Sequence, residues 1–376
     1  MKAYHTSPTR GEMPAGQRGG RGRFAPSPTG RMHLGNVFSA LLSWLSVKSK
    51  GGKWLLRIED IDPQRSKQQY ADQIMEDLEW LGLTWDEGPY YQSERGEIYE
   101  EYLEKLRQQD LLYLSYKTRA ERLAVSAPQE DSPLTNSPLI PSFPEGQKLL
   151  ERGEQLQDVS QNSLQKENAY SSSNSLHPLN ISQKGDTYSS PLSKRGAGGE
   201  SAGGESGAIT LRVSDEIITY QDQHYGEQTI NIKEDIGDFI VRRRDGAWAY
   251  QLAVVVDDAL MGVTEVVRGR DLLQSAGQQI YLGGLLGFPR MEYAHLPLLC
   301  NEAGQRLSKR DKSMDLGQLR EHYSAEEIIG KLAVLAHLIE DKKEPCLDDQ
   351  ARFCCKPADL VPLFDWKKVP LEEIIL

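Results

Sequence analysis

Residues 126 to 207 are dominated by Ser, Asn, Gln, Gly and Pro, in runs such as SQNSLQKENAYSSSNSL and GAGGESAGGESGA. A stretch so poor in apolar side chains cannot bury enough surface to offset the entropy of ordering its backbone. Any core must therefore be assembled from two blocks separated by a disordered insertion, which takes up about a quarter of the chain. Residues 1 to 22, rich in Gly, Arg and Pro, are set aside as a flexible arm. What remains is 23–125 and 208–315, two halves of one domain, followed by a helical tail over 316–376.

The first block has a readable order of elements. A short extended segment, GRFAPSPTG, leads into an apolar helical run from Leu34 to Val47 that stops at Gly51-Gly52, where a helix end favours glycine. Trp54 to Ile58 then reads as a strand ending in acidic residues. Strand, loop, helix and strand make a βαβ unit, so the fold class is α/β with a parallel sheet. Helical spacing predicts a helix over Asp72 to Leu81 and another carrying Ile98, Tyr102 and Leu106. Beyond the insertion, Ile209 to Val213, Asp238 to Val241 and Tyr250 to Val256 are rich in β-formers and are expected to complete the sheet. A helix from Leu272 to Leu286, an apolar segment His295 to Leu299 and a polar loop NEAGQRLSKRDK follow. The tail shows one helical pattern, Ile328 to Ile339, then a loop and short helix around Phe364-Asp365-Trp366.

No apolar run is long enough to span a bilayer, and the N-terminus lacks the apolar core of a signal peptide, so a soluble cytoplasmic protein is expected. Four cysteines, Cys300, Cys346, Cys354 and Cys355, form no regular framework and suit a reducing compartment as structural thiols. The net charge of -11 argues against indiscriminate nucleic-acid binding, though a local basic patch can still hold RNA.

Four constellations can carry chemistry. Ala25 to Asn36 places His33 at the mouth of a helix, where an imidazole and free backbone N–H groups converge on a point suited to phosphate; an ordinary Pro-rich turn before a helix is the alternative. Gly30 and Gly35 allow close backbone approach to a ligand. Arg306-Leu307-Ser308-Lys309-Arg310 is a basic loop that can stabilise a leaving pyrophosphate, or simply a solvated turn. Glu59, at the end of a parallel strand, sits where α/β sheets bind ligands and can hold an ammonium group; capping by Asp60 or Asp62 is the competing use of that segment. Arg268, near Asp257 and Asp258 in the linear order of motifs, can pair bidentately with a substrate carboxylate or form a structural ion pair with Asp271 or a neighbour.

In this order the segments resemble the class I aminoacyl-tRNA synthetases. His33-Leu34-Gly35-Asn36 stands where that family carries its HIGH motif, and Arg306 to Arg310 where it carries KMSKS. RFAPSPTG, LRIEDIDPQR, GDFIVRRRDG, YQLAVVVDD, VVRGRDLL and LLGFPRMEYAHLPLL are similar to the glutamyl branch, and the match covers 23–125 and 208–312. The resemblance implies a Rossmann-like catalytic domain with a glutamate site of Arg23, Ala25, Ser27, Glu59, Tyr250 and Arg268. Arg23 and Arg268 would meet a carboxylate and Glu59 the ammonium. It implies an ATP site of Thr29, Gly30, His33, Gly35, Asn36, Ser308 and Lys309, with His33 and Lys309 as the catalytic pair beside the phosphates and Mg²⁺ accompanying the nucleotide. The implied reaction joins glutamate and ATP into glutamyl-adenylate, then passes the glutamyl group to an RNA hydroxyl.

No helical anticodon-binding region is readable after LSKR, and the tail FDWKKVP is similar to that of the glutamyl-queuosine enzymes, as is Val254 where longer enzymes tend to carry Asn. That branch implies L-glutamate and queuosine-bearing tRNA(Asp) as partners; a monomer is the default expectation, and no membrane partner is expected. A truncated glutamyl-tRNA synthetase charging tRNA(Glu) and an inactive RNA-binding paralogue are the rival readings. Two departures stand out. The branch's zinc site carries a C-x-C pair where this chain has Ser115 and Lys117, which cannot supply thiolates, so no zinc is expected there. The insertion falls where the zinc-bearing, acceptor-stem segment lies in the family, and slow growth of loop-closure cost with length makes it tolerable.

Overall fold

The structure is a computed structural model that describes residues 20–116, 207–307, 314–340 and 354–376. The flexible arm and the insertion lie outside the described residues, apart from Gly20 to Gly22 and Gly207.

The βαβ unit forms as the pattern predicts. Strand β1 (Arg21–Phe24) feeds helix α1 (Leu34–Ser49), and the chain returns as β2 (Lys53–Ile58), parallel to β1 with Arg23 opposite Leu55. Val37, Phe38, Leu41, Leu42, Leu45 and Val47 bury the inner face of α1. Gly22 lets that helix approach the sheet: a Cβ there would stand 2.2 Å from a Val47 methyl. Gly51, at φ +69, turns the chain from helix to strand.

Seven strands form the main sheet, in the order β3 (Glu87–Tyr91), β2, β1, β9 (Glu265–Gly269), β10 (Glu292–Leu296), β6 (Ile217–Asp222), β7 (Gly226–Asn231). All neighbours are parallel except β6 and β7, an antiparallel hairpin at one edge. Alternate residues serve opposite faces, as the strand pleat requires. Trp54, Leu56 and Ile58 enter a core with α1 and α2 (Gln68–Trp80), whereas Leu55 enters a second core with α3 (Gly96–Gln108), α4 (Tyr250–Leu260) and α5 (Leu273–Leu285). The sheet is therefore covered on both faces.

Several expectations change. Tyr250 to Val256, read as a strand, is the start of α4. A short apolar run does not distinguish strand from helix by periodicity, and here packing outweighs the β preference of three valines: Leu252 to Val256 are all buried. The strands near Ile209 and Phe239 exist, yet they do not complete the main sheet. They form a separate antiparallel one, β4 (Leu112–Ser115), β5 (Ala208–Leu211) and β8 (Phe239–Arg242). The β6–β7 hairpin, with strictly alternating burial along β6, was not anticipated. Ser115 pairs with Ala208, so the chain leaves for the insertion and returns from it side by side. A loop anchored in this way adds little closure cost as it lengthens.

The tail is not wholly helical. After α6 (Leu316–His322), α7 (Ala325–Leu335) is capped by Ser324, whose hydroxyl accepts from Glu327 N–H while the Glu327 carboxylate takes Ser324 N–H. The helix ends four residues earlier than its pattern suggested, at a turn where His337 has φ 54. A single turn, α8 (Pro357–Leu360), precedes β12 (Ile374–Ile375), which lies parallel to β11 (Leu299–Cys300). Among the described residues no helix is long and apolar enough to cross a membrane.

Candidate active site

Strand order reverses between β1 and β9: β2 and β3 lie on one side of β1, β9 and β10 on the other. In open α/β sheets the crevice beyond the carboxyl ends of such strands is where ligands bind. A cleft of about 320 Å³ opens there, and it brings together nine residues singled out from the sequence: Arg23, Ala25, Ser27, Thr29, His33, Asn36, Glu59, Tyr250 and Arg268. Gly30 and Gly35 lie in the same loop and helix start without lining it. Ser308 and Lys309 lie outside the described residues. Arg306, from the basic loop singled out in the sequence, also lines the cleft; Ser39 and Leu272 line it too and were not assigned to a site in advance, although Ser39 falls one helical turn after Gly35, a spacing that could have found it.

His33 is the N-cap of α1, with extended backbone (φ -102), and its N–H donates to Asn36 Oδ1 at 3.1 Å. A Cβ on Gly35 would stand 3.1 Å from the His33 ring, so glycine leaves the imidazole its room. No acidic residue occupies the first turn of α1, and its positive end faces the cleft undiminished.

Beneath the cleft lies a buried charged network. Arg57, fully buried at the end of β2, donates from Nη1 to Asp258 Oδ1 at 2.6 Å and from Nη2 to Glu59 Oε1 at 3.1 Å. Arg23 reaches the same Asp258 at 3.3 Å and the Val267 carbonyl at 3.4 Å. Burial opposes the charge on Asp258, but Arg23 and Arg57 hold its carboxyl below the usual carboxylate range. Glu59 goes the other way: burial raises it more than Arg57 and Arg23 lower it. Burial and the nearby Glu59 charge likewise raise the Tyr250 phenol. Asp257, beside this network, is saturated by Arg95 at 2.6 Å, Tyr99 at 2.7 Å and Gln92 at 2.8 Å. A buried carboxylate so fully paired is a structural anchor.

Arg268 is different. Only 6 % exposed, it donates to His295 Nε2 at 3.1 Å, Gln279 Oε1 at 2.8 Å and the Leu272 carbonyl at 3.1 Å. All three partners are neutral, and no carboxylate among the described residues forms an ion pair with it. The structural pairing with Asp271 weighed from the sequence is absent, because Asp271 pairs with Arg306 and Arg270 reaches Glu373 at 3.8 Å. A buried cation without an anion is costly, and a ligand carboxylate meets that need. Asp60 and Asp62 do not cap a helix either. Asp60 takes the N–H and hydroxyl of Ser93, and Asp62 pairs with Arg65 and Arg243.

Arg306 enters through an ordered turn in which Asn301 Oδ1 accepts from Ala303 and Gln305 N–H, while Leu307 N–H returns to the Leu299 carbonyl at 2.9 Å. Tyr113 to Ser115, in the stretch where zinc ligands would stand, belong to β4, and Lys117 lies outside the described residues. No group of three or more His, Cys, Asp or Glu that could hold a metal ion occurs among the described residues. Cys300 and Cys355 are free thiols, burial pushing Cys355 up to about 11; Cys346 is outside the described residues.

The description "tRNA synthetases class I (E and Q), catalytic domain" matches residues 21–138 and 147–352. The chain is 38% identical over 363 residues to a glutamyl-Q tRNA(Asp) synthetase of Symbiobacterium thermophilum, covering 94% of each. It is 33% identical over 333 residues to a glutamate–tRNA ligase of a Sulfurihydrogenibium species, of which it spans 60%. In fold it is similar to the glutamate tRNA ligase of Elizabethkingia meningosepticum solved with its amino acid, at a TM-score of 0.63 and 24% identity, covering 94% of this chain and 66% of that one.

Proposed function

We infer the activity from a premise the matches establish: this chain belongs to the class I tRNA synthetases of the E and Q type and, among them, to the glutamyl-Q tRNA(Asp) synthetase family of ligases. The reading is that it activates glutamate with ATP, without needing tRNA, and transfers the glutamyl group to queuosine in the anticodon of tRNA(Asp), as a cytoplasmic monomer.

The observation that carries this reading is Arg268, a buried guanidinium whose described protein partners are all neutral, in a cleft whose only lining carboxylate among the described residues is Glu59. Glutamate fits that polarity, with its side-chain carboxylate on Arg268 and its ammonium on Glu59, whose carboxyl an incoming cation would draw back toward ionisation. Glutamine would leave the guanidinium without an anion, a difference of several kcal/mol for a site built around a charge. Arg23, Ala25, Ser27 and Tyr250 complete the substrate wall, Arg23 acting from its anchorage on Asp258.

In the first step an oxygen of the substrate's α-carboxylate attacks the α-phosphorus of ATP and pyrophosphate departs. A hydroxyl of the queuosine ring then attacks the acyl carbonyl and AMP leaves. No protein nucleophile is needed, so the protein contributes position and charge stabilisation. His33 and the start of α1, with Thr29, Gly30, Gly35 and Asn36, receive the nucleotide; Ser308 and Lys309 belong to the same proposed role. Glu59 is already engaged by Arg57, and among the described residues the cleft has no second carboxylate to build a dedicated magnesium site. Magnesium therefore enters as the counter-ion of the ATP phosphates.

The test is ATP–pyrophosphate exchange in the absence of RNA. Exchange that depends on glutamate, and that glutamine does not support, upholds the reading; no exchange with any amino acid points to the inactive paralogue.

A further inference from the structure

Arg268 is held from behind by a buried relay. His295 can accept its Nε–H only on a bare Nε2, so the single proton of a neutral imidazole must sit on Nδ1. Asp222 Oδ2 lies 2.6 Å from that Nδ1, and neither side chain reaches solvent. The other carboxylate oxygen, Oδ1, is fixed in turn by backbone N–H groups of His224 at 3.0 Å, Tyr225 at 2.9 Å and His295 at 3.2 Å. The three partners of Arg268 take Nε–H and one N–H from each terminal nitrogen, leaving one further N–H on each. The Tyr293 ring, 5.4 Å from Cζ, covers part of the guanidinium's surroundings.

We propose that Asp222 and His295 are positioning residues for substrate selection: Asp222 fixes the His295 tautomer, and His295 orients Arg268 without neutralising it, so that its charge and two N–H groups remain for the substrate carboxylate. The imidazole is the element that matters. A carboxylate placed directly on Arg268 would orient it equally well and cancel the charge that attracts glutamate. The inference rests on reading the cleft as a glutamate site.

The geometry of Asp222 provides a near-isosteric test. In Asp222→Asn the three backbone donors keep the amide oxygen at the Oδ1 position, which turns the NH₂ toward His295. The imidazole must then accept on Nδ1 and carry its proton on Nε2, facing the guanidinium. Glutamate-dependent exchange by the full chain is expected to show a KM for glutamate raised ~10–100-fold, with KM for ATP and kcat within about threefold of the parent. His295→Gln, whose amide oxygen can still accept from Arg268, should stay closer to the parent than His295→Leu. An unchanged glutamate KM in a folded Asp222→Asn protein overturns the proposal. If that variant does not fold, equal glutamate KM values for His295→Gln and His295→Leu overturn it instead. Loss of exchange in the unsubstituted protein would refute the glutamate-site reading itself, a different result from either.

Discussion

Arg57 Nη1 donates to Asp258 Oδ1 at 2.6 Å, with neither side chain exposed, and this contact ties the carboxyl end of β2 to α4 directly below the cleft. Asp258 also holds Arg23, so one carboxylate positions two guanidinium groups. Breaking a buried pair leaves the remaining charges uncompensated, which costs about 3–5 kcal/mol. Asp258→Asn is therefore expected to lower the unfolding free energy by roughly that amount, read as a reduced midpoint in urea at an unchanged slope. A midpoint equal to the parent's would show that the network is not anchored as described.

Arg268→Ala should abolish glutamate activation and leave the fold intact, since its removal takes out a cation that the protein itself does not pair. Nucleotide binding should persist, measured by fluorescence of an ATP analogue or by calorimetry. Arg268→Lys should not restore activity, because an ammonium cannot meet His295, Gln279, the Leu272 carbonyl and a carboxylate in the plane that the guanidinium occupies.

Burial depresses His295 below the 6.5 of an ordinary imidazole, outweighing the hydrogen bond it donates to Asp222, which raises it; the neighbouring Arg268 charge lowers it further. Asp222 from β6, Arg268 from β9 and the stacked Tyr293 are the titratable or charged side chains that face it. An unfolded chain binds a proton at this histidine as pH falls through about 6.5, while the folded protein does not, so stability declines below that pH and is fully retained above it. Urea denaturation at pH 7.5 and 5.5 should show this loss in the parent, and a smaller one in His295→Gln. Equal losses in both would mean that His295 is charged in the folded protein.

The residues that line the cleft were more legible in the sequence than the bounds of several elements around them. His33, Glu59 and Arg268 sit in contiguous words whose spacing survives any detail of packing, and each lies at the end of a strand or the start of a helix. The relay behind Arg268 was not legible, because Asp222 and His295 are 73 positions apart and meet only through sheet order. The misreading of Tyr250 to Val256 has the same origin: three valines favour a strand locally, and tertiary packing made them a helix that delivers Tyr250 to the cleft and Asp258 to the network beneath it. The unread hairpin β6–β7 supplies Asp222, so the missing element and the missing residue are one omission.

The proposed destination of the glutamyl group is queuosine of tRNA(Asp). Transfer of radiolabelled glutamate by the full chain should be measured on tRNA(Asp) with queuosine, on tRNA(Asp) lacking it, and on tRNA(Glu). Label is expected on the queuosine-bearing tRNA(Asp) alone, and it should survive removal of the 3′-terminal nucleotides. Label on tRNA(Glu) that is lost with those nucleotides would contradict it and identify a tRNA-charging ligase.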